Sequence, residues 1–157
     1  MARRLKVFLD SDIFIRDLRF QRDSSYQDNR AFLNLIKQKK VSAYTSIYNL
    51  LEVCGYLSFN LDSNQLKNLY RGFSGIYSVN VLFPEMHSEA VLKLDIARIF
   101  SYIERKMALS DSLIAHVAEL HKNLLNCFIT WNAKHFVDKL AIEVLTPRQF
   151  FEQKIQT

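Results

Sequence analysis

The sequence predicts an α/β fold of three layers, with a central, mostly parallel sheet of about five strands covered by helices on both faces. Three observations carry that expectation. Short apolar runs alternate with longer stretches whose apolar residues recur at helical spacing. Those stretches are long enough to act as crossovers, which parallel neighbours require. Only 3 Gly and 2 Pro occur in 157 residues, with no low-complexity tract or internal repeat to serve as a linker. Residues 1–157 therefore read as one domain. A chain of this length that is 49% hydrophobic and 13% aromatic can fill a core.

Taken in order, residues 6–10 are a first strand, apolar enough to be buried on both faces. Helices follow at 12–20 and 26–40, the second with Phe32, Leu33, Leu35 and Ile36 on its apolar side. Residues 41–45 form a second strand. Residues 46–59 form a strong helix, with Ile47, Leu50, Leu51, Cys54 and Leu57 along one stripe. A helix at 62–73, a β-like segment at 76–82, a long helix at about 85–106 and a helix at 111–122 behind Ser110 come next. The chain closes with a strand at 126–131, a short helix at 133–139, a strand at 143–145 and a helix started by Pro147.

Several function classes are excluded at this level. Cys54 and Cys127 lie in apolar contexts without a CxxC pair, as reduced core residues of a cytosolic protein do. The apolar part of MARRLKVFLD is too short for a signal peptide, and no stretch approaches eighteen consecutive apolar residues. A soluble, cytoplasmic protein without a membrane partner is expected. His116 and His121 are five apart, which is not the spacing of a helical zinc pair, and both read as structural or exposed. No Ser/His/Asp arrangement, glycine-rich phosphate loop or dinucleotide fingerprint appears.

Charge points the other way, toward an anionic ligand. The net charge of +5 is entirely N-terminal: residues 1–40 hold ten basic and five acidic side chains, and the remainder is balanced. Within that segment Arg16, Arg19 and Arg22 recur every third residue around Phe20, and on a helix they would share one broad face able to track phosphates, as RNA-binding candidates. The alternative is an ordinary solvated helix side.

The acids locate the chemistry. In FLDSDIF the first strand runs out into Asp10 and Asp12, and ligands of open parallel sheets bind beyond the carboxyl ends of the strands. Helix capping accounts for one aspartate, not for two. Glu52 lies in the most apolar helix, where a carboxylate without a partner is costly to desolvate. Thr45, seven residues earlier, aligns that stripe with the strand ends. Asp111 follows Ser110 at a helix start, as a cap or as a further acid of the same site. Carboxylates converging there would repel one another unless Mg²⁺ or Mn²⁺, which prefers oxygen ligands, lies between them. His135, three residues after Asn132, is within reach of a phosphate or packs on its helix. Trp131 packs in the core or stacks on a base.

Two families carry a doublet of this kind. Asp10 and Asp12, with Thr45 at the second strand, resemble the haloacid dehalogenase phosphatases, in which the first Asp is the nucleophile. No later paired-aspartate motif completes that pattern here. The second resemblance runs along nearly the whole chain. VFLDSDIFI, YTSIYNLLEV, LSDSLIAHVAEL and FITWNAKHF, followed by EVLTPRQFF, are similar in order and spacing to PIN domains of the kind found in VapC-type toxins. That resemblance implies a PIN-like fold and a Mg²⁺- or Mn²⁺-dependent endoribonuclease that cuts structured RNA as the toxin of a type II toxin–antitoxin pair. It also implies a homodimer and a small antitoxin partner. Asp10, Glu52 and Asp111 fall on the family's metal-binding acids, and Asn132 stands where many members have Asp, which weakens a second metal. Asp12, Thr45 and Thr130 are secondary site candidates. A PIN-like module that binds RNA or protein with weak catalysis is the alternative, and the phosphatase a more distant one.

Overall fold

Strand β1 (Lys6–Leu9) occupies the centre of a five-stranded sheet ordered β3-β2-β1-β6-β7 in the computed structural model, which describes residues 3–88 and 91–155. Its partners are β2 (Ser42–Ser46) on one side and β6 (Cys127–Ile129) on the other; β3 (Val79–Leu82) and β7 (Glu143–Leu145) form the edges. Every pairing in this sheet is parallel, with Val7 opposite Ala43 and Cys127. The chain winds outward from β1 in one direction, then crosses back to add β6 and β7. The strand order therefore reverses between β1 and β6, the place where open α/β sheets form a crevice.

Alternation along the central strands builds a core on each face. Val7, Leu9, Cys127 and Ile129 pack with Ile13, Phe14, Phe32 and Phe73 from α1 (Ser11–Arg19), α2 (Tyr26–Lys37) and α4 (Ser63–Tyr77). Phe8 and Phe128 point oppositely, stack at 5.0 Å, and meet Ile114 and Ala115 of α6 (Leu109–Leu120). Helix α3 (Ile47–Leu57) joins the first core through Leu50, Val53, Cys54 and Leu57. This is the expected three-layer α/β/α arrangement with five parallel strands. Among the described residues, no helix is long and apolar enough to cross a membrane.

Three sequence expectations are corrected. Residues 85–106 do not form one helix: Met86–Ser88 (β4) and Val91–Leu92 (β5) pair antiparallel, and only Ile96–Glu104 (α5) is helical, with Glu89 and Ala90 outside the described residues. The hairpin is closed by the Lys93 amide on the Glu85 carbonyl at 2.8 Å and the Lys93–Glu85 ion pair at 3.1 Å. Asp95 then starts α5 by capping the Arg98 amide at 3.0 Å. Ile76 and Tyr77 end α4 instead of starting a strand, because Tyr77 fills the core beside Phe14 and Phe73 and Ser78 breaks the helix at φ 55°. Leu51 leaves the apolar stripe of α3 and is exposed, and Glu52 next to it is half-buried. The chain ends in a short α7 (Ala133–Phe136) and in α8 (Pro147–Phe150), which runs into a π-helical turn, Phe151–Ile155.

Candidate active site

The ends of the central strands are stitched together by backbone before any side chain contributes. The Asp10 amide donates to the Ile129 carbonyl at 3.0 Å, the Thr130 amide to the Leu145 carbonyl at 3.0 Å, and the Thr45 hydroxyl to the Leu9 carbonyl at 2.8 Å. Asp10 does cap α1, accepting from the Ser11 amide at 2.8 Å. Yet the residue is only 5% exposed, and its other carboxyl oxygen accepts from the Thr130 hydroxyl at 2.8 Å. Asp12, on the first turn of α1, reaches across to β6. Its Oδ2 accepts from the Trp131 amide at 2.8 Å and the Asn132 amide at 3.2 Å, and lies 3.1 Å from the same Thr130 hydroxyl.

Thr130 is thus in contact with two carboxyls while owning one hydrogen to donate. One of its two acceptor lone pairs takes the Asn132 amide, which donates to it at 3.0 Å. With both carboxyls ionised the set is one hydrogen short, and burial raises both of them. Burial, then the neighbouring Asp12 charge, then Asp111, push Asp10 well above the usual carboxylate range. Burial pushes Asp12 up to about 6 against the pull of its hydrogen bonds and of Arg16. Asp12 Oδ1 is buried without a hydrogen-bond partner.

Of the polar residues that hold this pair, Thr130 is among the secondary candidates of the sequence, whereas Asn49 carries no signal there as a site residue. Asn49 and Ser46 form a capping box at the start of α3, a spacing visible in the sequence. What the sequence does not reveal is the direction of the spare amide: Asn49 Nδ2 donates to the Ser11 hydroxyl at 2.9 Å and to Asp10 at 3.3 Å. Thr130, a lone threonine after a strand, becomes the bridge only because β6 lies beside β1.

A cavity of about 230 Å³ opens over this floor, lined by Asp10, Ser11, Asp12, Ile15, Arg16, Phe20, Glu52, Asp111 and Asn132. It brings together six of the predicted residues, Asp10, Asp12, Arg16, Glu52, Asp111 and Asn132. Thr45 and Thr130 stand behind it and act on backbone and carboxyls. Glu52 is half-buried on α3. Asp111 lies in the first turn of α6, which begins at Leu109 with Ala108 as its cap. Burial raises its carboxyl, opposed by His135, whose Nδ1 is 3.6 Å away, and by Lys139.

The three arginines separate. Among the described residues Arg16 is the one cation lining the acidic cavity; it pairs with Asp23 at 2.7 Å, meets the Ser25 hydroxyl, and lies over the Trp131 ring at 5.0 Å. Trp131 itself is partly buried and donates to Asn29 at 2.8 Å. Arg19 and Arg22 line an adjacent cavity of about 490 Å³ with Phe20 and Asp23, and Arg22 lies in the turn beyond α1, off the helical face it was expected to share. His116 is buried, with its Nδ1 unpartnered, and His121 Nε2 lies 3.0 Å from the Phe83 carbonyl.

The donor set suits a hard divalent cation: it is all oxygen, crowded with like charge, and includes the buried unpartnered Asp12 Oδ1. Among the described residues, no three His, Cys, Asp or Glu side chains close on one point as a ready metal cage. Such an open set fits Mg²⁺, which keeps several waters and takes only one or two carboxylates directly.

The raised Asp12 carboxyl has a consequence for stability. A carboxyl raised in the folded state contributes stability that is full below its unfolded value near 3.8 and lost as pH rises through about 6. Relative to Asp12→Asn, the wild type in EDTA should therefore lose about 3 kcal/mol between pH 3.5 and pH 7. Urea titrations of both proteins across that range measure the difference, and a difference flat with pH would show that Asp12 titrates normally.

No protein-family model matches the chain, and no curated protein matches it in sequence. Solved structures do match in fold. The structure of FitAB bound to an IR36 DNA fragment gives a TM-score of 0.57 at 16% identity, over 90% of this chain and 94% of that one. The structure of VapBC2 from Rickettsia felis bound to a DNA fragment from their promoter gives 0.55 at 17% identity, over 90% of this chain and 98% of that one. Both share the three-layer architecture with this chain, and at these identities the likeness is one of fold.

Proposed function

We propose that the chain is a divalent-metal-dependent endoribonuclease acting on structured RNA, the toxin of a type II toxin–antitoxin pair working in the cytoplasm. One observation carries the reading. Asp10 and Asp12 at the start of α1, Glu52 on α3 and Asp111 on α6 come from three separate elements, yet they line a single cavity with Asn132 at the crevice where the strand order reverses. Likeness in fold to the FitAB and VapBC2 structures supports it, as does the sequence resemblance to VapC-type PIN domains.

In this reading Asp10, Glu52 and Asp111 would hold Mg²⁺ or Mn²⁺, which when bound supplies an activated water and neutralises charge on the phosphodiester being cut. The protein's own groups do the positioning. Thr130 and Asn49 fix the Asp10 carboxyl, and Asp12 ties α1 to the Trp131–Asn132 backbone. Arg16 offers a cation to the phosphate from the rim, and Arg19 and Arg22 lie along the path of the flanking strand. Asn132 contributes a neutral oxygen, so one ion is held more securely than two. A homodimer and a small antitoxin belong to the same reading. An exposed apolar groove of about 500 Å³ between α5 and α6, which includes Leu94, Ile96, Phe100 and Leu109, favours a protein partner.

Asn132 and the open acid set favour a second reading, a PIN-like module that binds without cutting. One assay separates the two: structured RNA and a small phosphomonoester, each with Mn²⁺ and with EDTA. EDTA-sensitive RNA cleavage alone is the expected result, and binding without turnover would give the case to the module. Phosphomonoester turnover would require Asp10 as nucleophile. The burial of Asp10 and the hydrogen bonds to both its oxygens oppose that role.

A further inference from the structure

We propose that Phe20 and Tyr56 form a stacking site for one unpaired nucleobase beside the cleaved phosphodiester, an inference that rests on the nuclease reading. Two helices present the site. On α1, Asp12, Arg16 and Phe20 follow at i, i+4 and i+8 and so share a face; on α3, Glu52 and Tyr56 do the same. Both stripes begin at the acids and end at an aromatic ring. Phe20 caps the C-terminus of α1 and is 45% exposed; Tyr56 is 43% exposed; their rings lie 6.4 Å apart and tilted by 49°. Neither ring is needed to fill the core beneath, which Phe14, Phe73 and Tyr77 already occupy.

Position gives the pair its ligand. Phe20 lines both the acidic cavity and the neighbouring cavity that holds Arg19 and Arg22. A chain running between them must carry anionic groups for the arginines and for a metal held by the acids, and must cross an aromatic wall in between. A single nucleic-acid strand has that alternation of phosphate and flat apolar base, whereas a duplex keeps its bases stacked inside and cannot offer one to the wall. Stacking tolerates any base, so the wall selects for an unpaired strand over a particular sequence.

The test reads binding in EDTA, using a short single-stranded RNA containing 2-aminopurine and the same RNA paired with its complement. Phe20→Leu keeps an apolar side chain but removes the ring, and should weaken single-strand binding by roughly 5- to 150-fold while changing duplex binding by less than about twofold. Phe20→Trp should retain both affinity and quenching of the 2-aminopurine, and Tyr56→Leu should show a loss in the same direction as Phe20→Leu. Melting curves confirm that each variant folds, which the exposure of both rings favours. Wild-type affinity in Phe20→Leu would assign the rings to a protein partner and overturn the proposal. Equal losses for single strand and duplex, or no RNA binding by the wild type, would overturn it as well. Because no cleavage is needed, intact stacking without Mn²⁺-dependent cutting would sink the nuclease reading and leave the base site standing. Normal cutting by Phe20→Leu at unchanged KM would do the reverse.

Discussion

Asp10→Asn and Asp111→Asn should each lower Mn²⁺-dependent RNA cleavage by roughly 10³-fold, and the double variant should lose little more, because groups that act as one unit are not additive. The two carboxyls come from different elements, one after β1 and one on the first turn of α6, and Asp111 is close enough for its charge to raise Asp10. Neither change should unfold the protein. Asn is as good a cap as Asp for α1, and Asp111 does not cap α6. Single-turnover cleavage at saturating protein is the measurement, since it separates chemistry from binding and product release. Asp12→Asn should be milder, because Asp12 spends its Oδ2 on backbone amides. Mild, additive losses at Asp10 and Asp111 would break the shared site. A phosphorylated Asp10 trapped in an inactive Asp12 variant would indicate the phosphatase.

The sheet was legible because buried parallel strands are short apolar runs, and KVFL, with a residue facing each core, is such a run. The segment at 85–106 was not legible, because its apolar residues fit a helical period as well as a hairpin followed by a helix. What decides there is the Lys93–Glu85 closure and the Asp95 cap, and neither leaves a periodic trace. Among candidate site residues, Asp10 and Asp12 stood out because two carboxylates after an apolar strand exceed what capping requires. The apolar neighbours of Glu52 imply a desolvated carboxylate, whereas the side chain is half-buried and lines the cavity. Asn49 was hidden, and Thr130 legible only as a secondary candidate, since each meets Asp10 from an element far away in the chain.

In the absence of metal, the Asp10→Asn protein should be more stable than the wild type, and Mn²⁺ should reverse the order. The wild-type floor is short of hydrogens: Thr130 has one to give and stands between two carboxyls, both raised by burial. An asparagine amide in place of Asp10 accepts from Ser11 and Asn49 through its oxygen and donates through its nitrogen to Thr130. Thr130 is then left free to donate to Asp12. Satisfying that set and removing one buried charge should contribute about 1 to 3 kcal/mol, a rise of roughly 2 to 10 °C for a chain of this size. Mn²⁺ at about a hundred times its dissociation constant should stabilise the wild type by about 2.7 kcal/mol, or roughly 5 to 10 °C, and the variant by much less. The same carboxylate crowding that destabilises the empty floor is what binds the cation, so both effects must disappear together. Thermal melting of the two proteins in EDTA and in Mn²⁺ reads all four states. Were Asp10→Asn to melt well below wild type in EDTA and still gain the full Mn²⁺ shift, Asp10 would be a helix cap and the ion would bind elsewhere.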